Sequence, residues 1–336
     1  MITLKDIASV CGVSVATVSR ALNGSGDISP AQVERIRRTA AQMGYLPNAA
    51  ARALKTNRSF MLGILYEDRM DHEYFSLVIE GIRRRAEERG FDLAFLSHNT
   101  QDGNAEYPEH AARRNLDGVV LVSCRWQETG VQRILAGPLP CIVIDYAQKG
   151  CDTVANDNLG SMKQLVREAY ARGYRRLAFI HGEAGYVTDE RLAGFEAGLR
   201  ECGLIKRPEY IRSARFRHAA SSWREAKALT ELSVPPDCVF FPDDFSLMGV
   251  MDQLRQRGLC LRDCFAAVGY DGIGPSSYFY PRLFTYRQDT ETIGRLAVDR
   301  LLDRILGQAE TWEPGEVIVP GTMLQGDTLP PKATLG

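Results

Sequence analysis

No apolar run in this 336-residue chain approaches the roughly 20 residues that a membrane-spanning helix needs. The first residues, Met1 to Asp6, lack the charged-then-apolar layout of a secretion signal. The expected location is therefore the cytosol, with no membrane partner. Cysteine is present but unpatterned. Of eight, the nearest couple, Cys260 and Cys264, has three residues between them, so neither a metal site nor a disulfide framework is expected. The thiols read as reduced, buried small hydrophobes.

Catalytic signatures are missing as well. There is no nucleophile elbow, phosphate loop or zinc-binding histidine pair, and His72, His98, His110, His181 and His218 are scattered. A dinucleotide fingerprint would follow the first apolar strand, yet Gly63 stands alone there before Tyr66, Glu67 and Asp68. The glycine cluster GYDGIG at 269–274 has the wrong order and context. Catalysis is excluded and no cofactor or metal is expected.

What is present is a chain too long for one core, 45% hydrophobic and 25% charged, which favours two or three folding units. Its net charge of −1 hides a split. Residues 1–60 carry eight Lys or Arg against three Asp or Glu, net +5, leaving −6 for the rest. A small basic head on an acidic body expects a polyanion at the head alone.

From Thr3 the head reads TLKDIASVCGVSVATVSRALNG. Leu4, Ile7 and Ala8 recur at helical spacing until Gly12, which accepts a positive φ. Val13 can plug the turn, and Ser14 is placed to cap a second helix from about Val15 to Leu22. A small residue, a turn glycine, a plug and a capped second helix make a helix-turn-helix, whose second helix enters the major groove. A helical hairpin in a core is the other reading. Ser14, Thr17, Ser19, Arg20 and Asn23 oppose it, because they offer phosphate and base-edge donors where a core helix would be apolar.

A third helix is expected from about Ser29 to Met43, with Val33, Ile36, Ala40 and Met43 on one face and Arg35, Arg37 and Arg38 on a solvated one. Then GYLPNAAARALKTNRS breaks at Pro47, is capped by Asn48 and has good helix formers from Ala49 to Lys55. Alone, so short a helix is unstable in water. A linker is the simpler reading of the same residues.

These segments, with motifs in the body, resemble the lactose/galactose repressor family along essentially the whole chain. The resemblance implies that residues 47–59 are a hinge helix, two of which pair in the minor groove of an operator. Leu54 then matches the apolar wedge, and Ala51 the position of close helix approach. Val15, Ala16 and Arg20 match the positions that choose the half-site, while Thr3, Tyr45 and Asn48 complete the DNA-facing set. The expected site is near-palindromic, bound by a homodimer.

After Ser59, short apolar runs alternate with amphipathic stretches. The runs are 61–65, 93–96, 118–122, 141–144, 177–180, 239–241 and 265–268, and helices are expected at 75–89, 159–172, 191–202 and 247–257. Strand and helix in alternation mean parallel sheets, hence an α/β body. The resemblance implies two lobes of the periplasmic sugar-binding kind, crossed near Asn158, Arg287 and Gly315. The expected divisions are an all-α headpiece at 1–46, a hinge at 47–59, a first lobe at 60–158 with 288–314, a second lobe at 159–287 with 315–329, and a tail at 330–336.

A ligand would sit between lobes at the carboxyl ends of strands. Asp145 and Asp271 each follow an apolar strand, where a carboxylate can accept hydroxyl protons; turn or cap roles are the alternatives. Arg191 in RLAGF matches the family's ligand arginine, whose fork suits adjacent hydroxyls or a carboxylate; an ion pair is the alternative. Tyr74 and Phe75 in HEYF match an aromatic wall or a helix-start staple. Ser123, Asp243 and Phe216 fall at further pocket positions. The family's Asn-Asp pair reads Asp243-Asp244 here, and a frequent arginine is replaced near Gln325. The implied function is repression of carbohydrate-utilisation genes, released or less often recruited by a small sugar-like effector. The rival reading is a ligand-independent DNA-binding regulator with a purely structural dimerisation body.

Overall fold

The computed structural model describes residues 2–23, 28–45, 53, 56, 58–69, 71–96, 106–148, 150–307 and 313–332. Two units emerge, Met1–Ser59 and Phe60–Gly336. In the first, helices α1 (Leu4–Cys11), α2 (Val15–Asn23) and α3 (Pro30–Gln42) enclose a core of Ile7, Ala8, Cys11, Val18, Ala21, Ile36 and Ala40. Val33, Met43, Tyr45 and the plug Val13 pack against it.

Each boundary has a local cause. Thr3 and Asp6 form a reciprocal capping box at α1, and Gly12 ends the helix at φ 62°. A Cβ at Gly12 would meet nothing within 4 Å, so Gly12→Ala is expected to cost about 1–2 kcal/mol from backbone strain alone. Urea denaturation of the isolated change against the parent chain checks this. Ser14 Oγ accepts from the Thr17 amide at 3.1 Å and caps α2. Arg35 is exposed, as expected, but it is also structural: its guanidinium donates to the Cys11 carbonyl and ties α3 to the end of α1.

In the second unit the chain runs β1 (Met61–Tyr66), α4 (Glu73–Glu88), β2 (Asp92–Leu96), α5 (Tyr107–Arg113), β3 (Gly118–Val122), α6 (Thr129–Ala136), β4 (Cys141–Ile144) and β5 (Asp152–Asn156). It continues through α7 (Asn158–Ala171), β6 (Leu177–His181), α8 (Tyr186–Glu201), β7 (Ile211–Ser213), α9 (Ala219–Thr230), β8 (Cys238–Phe240) and α10 (Asp244–Gln256). Then come α11 (Leu261–Cys264), β9 (Ala266–Val268), β10 (Thr285–Arg287), α12 (Thr290–Leu306), β11 (Glu316–Val319) and β12 (Thr322–Leu324).

Two parallel sheets result. The first is ordered β11-β5-β4-β3-β1-β2 and the second β7-β6-β8-β9, with β10 and β12 paired antiparallel beside it. Strands such as β3, GVVLV, are buried end to end, as continuous apolar runs are when helices cover both faces. One face of the first sheet packs on α4 and α12 through Val78, Ile82, Ala297 and Leu301, and the other on α5 and α6 through Ala111 and Val131. The second sheet is covered likewise, by α7 and α8 on one face and α9 and α10 on the other. No described helix is long and apolar enough to cross a membrane.

All seven apolar runs are strands, and the first two expected crossings fall where β5 leads into α7 and β10 into α12. The third requires correction. Residues 316–319 pair with β5 in the first sheet, Glu316 opposite Thr153, and bury Val319 in that lobe's core. The chain therefore crosses at Pro320 and Gly321 rather than Gly315. Of the expected tail, Lys332 bonds the Arg172 carbonyl and Asp237, which fastens it to the second lobe.

Candidate functional site

The helix-turn-helix presents Ser14, Val15, Ala16 and Arg20 to solvent, with Thr17 and Ser19 half-buried and Thr3 exposed at the start of α1. This follows from the burial of Val18 and Ala21, which points the opposite side of α2 outward. Tyr45 is half-buried against the head core, so only part of it is available to a ligand. Asn48, Ala51 and Leu54 lie outside the described residues, as does the side chain of Asn23. Of the expected hinge, Ala53 and Thr56 are helical and the Arg58 amide bonds the Ala53 carbonyl at 3.3 Å.

In the body, three non-glycine residues hold left-handed backbone at the carboxyl ends of parallel strands. They are Ser123 after β3 (φ 48°), Asp145 after β4 (φ 53°) and Asp271 beyond β9 (φ 95°). Such conformations cost energy unless the surroundings fix them. Here they turn three polar side chains out of the strand line.

On the first lobe, the buried Tyr74 hydroxyl donates to Asp145 Oδ2, and Asp145 Oδ1 accepts the Asn156 amide at 3.0 Å. Phe75 packs its ring 4.9 Å from Tyr74 and 4.6 Å from His72, so HEYF forms one aromatic cluster. On the second lobe Arg191 is buried. Its Nε donates to Asn158 Oδ1 and its Nη1 to the Pro242 carbonyl, both at 2.9 Å. Its guanidinium lies 3.5 Å from the centre of the Tyr270 ring and 5.9 Å from that of Phe216. The Phe216 ring is seated on Gly182, where any Cβ would fall 2.2 Å from it.

Arg191 Nη2 stands 3.9 Å from Asp271 Oδ1, outside hydrogen-bond reach but close enough for the two charges to attract. Gln288 Nε2 donates to the same oxygen at 2.8 Å. Burial raises the Asp271 carboxyl to about 7, against the opposing pull of Arg191. Burial raises Asp145 and Asp243 too, with Arg191 again counteracting.

Asp243 proves to be a helix cap. Its oxygens accept the Ser246 and Arg217 amides, each at 2.7 Å. The neighbouring Asp244 is fully buried and accepts the Ile273 amide at 3.1 Å, bracing the turn that carries Asp271. Gln325, at the expected departure, bonds Arg172.

Three residues escaped sequence reasoning. Arg217, itself at φ 51°, reaches across the cleft to Asp71, donating to its carbonyl at 2.8 Å and lying 3.3 Å from its carboxylate. His72 sits behind that contact, its pKa lowered to about 4 by burial and by Arg217. Tyr270 underlies Arg191 and accepts from Asn156 at 2.8 Å. Its place directly before Asp271 was the available signal, and His72 opens the HEYF motif; Arg217 had none. A second cross-cleft bond runs from the Gly274 amide to Glu73 at 2.6 Å. Beneath these contacts opens a cavity of about 470 Å³ lined by Asp71, His72, Arg217, Phe245, Met248 and Asp271, a size typical of small-molecule sites. It lies at the lip of the cleft and shares only Asp271 with the expected set.

Two family models match parts of the chain. Residues 3–48 match the model of bacterial regulatory proteins, lacI family, and residues 166–329 that of a periplasmic binding protein-like domain. The chain is 30% identical over 311 residues to the HTH-type transcriptional repressor CytR of Escherichia coli (strain K12), covering 91% of this chain and 90% of that one. It is 29% identical over 315 residues to the HTH-type transcriptional repressor PurR of Aliivibrio fischeri (strain MJ11), covering 91% and 92%. In fold it resembles the lac repressor dimer bound to operator and the anti-inducer ONPF, at a TM-score of 0.78 and 23% identity over 98% of this chain and 99% of that one. It also resembles the transcriptional regulator CelR–cellobiose complex, at a TM-score of 0.71 and 24% identity over 98% and 100%. With a capped helix-turn-helix at its start and two parallel-sheet lobes after it, the chain belongs to the lacI family of bacterial regulatory proteins.

Proposed function

We propose that the chain is a cytoplasmic homodimeric repressor that binds a near-palindromic operator and is released by a neutral, polyhydroxylated effector in the interlobe cleft. The observation that carries the effector reading is the pair of left-handed Asp145 and Asp271 at strand ends within the field of the buried Arg191, with left-handed Ser123 at a third strand end of the first lobe. Carboxylates accept hydroxyl protons, the guanidinium donates to ring or hydroxyl oxygens, and Tyr74, Phe75 and Phe216 offer apolar faces to a sugar ring. A neutral ligand leaves Arg191 as the charge that offsets the burial of Asp145 and Asp271, a role that an acidic ligand would compete for. A relative in complex with cellobiose supports the same ligand class. In this reading Asp243 acts indirectly, by holding the Arg217 amide at the lip.

Release follows from linkage. Two heads and two hinge segments, 47–59, grip DNA together far better than one alone. An effector that binds one lobe arrangement better shifts the population toward it and changes the spacing of the two residue-59 attachment points. A coupling of about 1–3 kcal/mol is typical.

Fluorescence anisotropy on a selected palindromic duplex, with mono- and disaccharides and sugar phosphates titrated in, tests the proposal. A neutral sugar should weaken DNA binding tenfold or more. If specific binding persists and no compound alters it, the body is a structural dimerisation unit instead. In the same assay Arg20→Ala is expected to lower specific affinity by about 1–3 kcal/mol with the fold intact, as loss of a bidentate base contact does. Leu54→Ala is expected to weaken specific binding without loss of folding. Equal affinity of the Arg20 variant for cognate and scrambled duplexes to that of the parent would remove Arg20 from the readout.

A further inference from the structure

Two thiols meet at the amino-terminal ends of strands of the first lobe, away from the carboxyl ends that carry Ser123 and Asp145. Cys141 opens β4 and Cys151 immediately precedes β5. These strands pair in parallel with Ile142 opposite Asp152, so the cysteines face each other one step earlier in the same register. Paired strands lie about 4.8 Å apart, within the Cα separation of roughly 4.4–6.8 Å that a disulfide spans. The two sulfurs are already 3.9 Å apart, and both residues are buried in the core on one face of the first sheet.

Their surroundings differentiate them. The hydrogen bond shared between the sulfurs favours the thiolate at Cys151 and the thiol at Cys141, and the charge of Arg304 adds to the first effect while burial opposes it. The Arg304 guanidinium contacts the Cys141 carbonyl at 3.4 Å. Gly150, next to Cys151, is exposed and gives a small oxidant an approach.

We propose that Cys141 and Cys151 are a peroxide-sensitive dithiol that closes to an intramolecular disulfide, tying the β4–β5 connection that carries Asp145 back on itself. The Cys151 thiolate attacks a peroxide oxygen; an S–O bond forms, the O–O bond breaks, and hydroxide leaves to become water. Cys141 sulfur then attacks Cys151 sulfur; the S–S bond forms, the S–O bond breaks, and the departing hydroxide takes the Cys141 proton. Two thiols are oxidised, one hydrogen peroxide is reduced, and two waters leave. The proposal does not rest on the ligand assigned to the cleft.

The test uses the full chain with Cys202, Cys260 and Cys264, the less buried cysteines, changed to serine, treated in its reduced native state with hydrogen peroxide. The expected result is a mass loss of about 2 Da and a proteolytic peptide pair joined through Cys141 and Cys151, both reversed by dithiothreitol. Cys151→Ser should prevent the link. Stepwise mass gains of about 16 Da at single cysteines, or a link formed only after unfolding in urea, would overturn it. The mass of the treated parent chain decides the matter even if the Cys151 variant folds poorly.

Discussion

Arg191→Ala is expected to abolish the effector response and to lower folding stability by about 3 kcal/mol or more. The residue is 5% exposed, and loss of its side chain frees the Asn158 side chain and the Pro242 carbonyl from their donors. It also leaves three buried carboxyls, Asp145, Asp243 and Asp271, without the charge that offsets their burial. Breaking a buried pair by removing one partner typically costs about 3–5 kcal/mol, and protonation of Asp271 caps the penalty here. Lysine should rescue little, because an ammonium cannot reproduce the forked bonds to Asn158 and Pro242. Urea denaturation reads the stability, and ligand-dependent anisotropy reads the response. Basal operator affinity should survive, since the head has its own core. An alanine variant that still releases DNA with sugar would move the site away from Arg191.

Asp271→Asn is expected to stabilise the protein at neutral pH and to change nothing at pH 4. The folded-state carboxyl titrates at about 7, against an ordinary value of 3.8, because burial disfavours its charge. Below pH 4 both folded and unfolded states hold the proton, so no penalty exists. As pH rises, the unfolded chain releases it first, and stability falls until the folded group ionises near 7. At roughly 1.4 kcal/mol per unit, the ceiling of the loss is about 4 kcal/mol. Asparagine keeps an acceptor for Gln288 and carries no charge. The gap between variant and parent in urea midpoints should therefore widen from pH 4 to pH 7 and then level. A gap independent of pH would mean that Asp271 stays ionised throughout, held by Arg191. The same substitution should blunt the sugar response, since a neutral amide accepts hydroxyl protons more weakly.

The legible parts of the fold share a physical feature: their signals are local. Gly12, Ser14 and Pro30 mark helix boundaries because caps and φ preferences act within one turn. The seven apolar runs became strands because burial on both faces demands unbroken apolarity. Strand β5 was illegible for the opposite reason. Its sequence, DTVAN, is mostly polar, yet it is buried throughout. Asp152 pairs with Arg300 and accepts the Gly315 amide, Thr153 bonds the Tyr146 carbonyl, and Asn156 reaches Tyr270. Except for Tyr146, its partners lie more than a hundred residues away, so no window of sequence contains them. Strand β11 was misplaced likewise, because its pairing with β5 depends on a strand that had not been read.

The site divides in the same way. Asp145, Arg191 and Asp271 were legible as residues, two of them by position after a strand. The cap role of Asp243 was not legible, because its oxygens face two backbone amides brought together only by the fold. Arg217 and His72 were not singled out, since Arg217 takes its meaning from meeting Asp71 across the cleft and His72 from its burial behind that contact. By itself the sequence determined the helix-turn-helix, the alternation that makes parallel sheets and the carboxylates at strand ends, all fixed by interactions within a few residues. The tertiary structure decided the third lobe crossing, the cross-cleft contacts and the ionisation of Asp271, because burial, strand register and electrostatic field are set by groups distant in the chain.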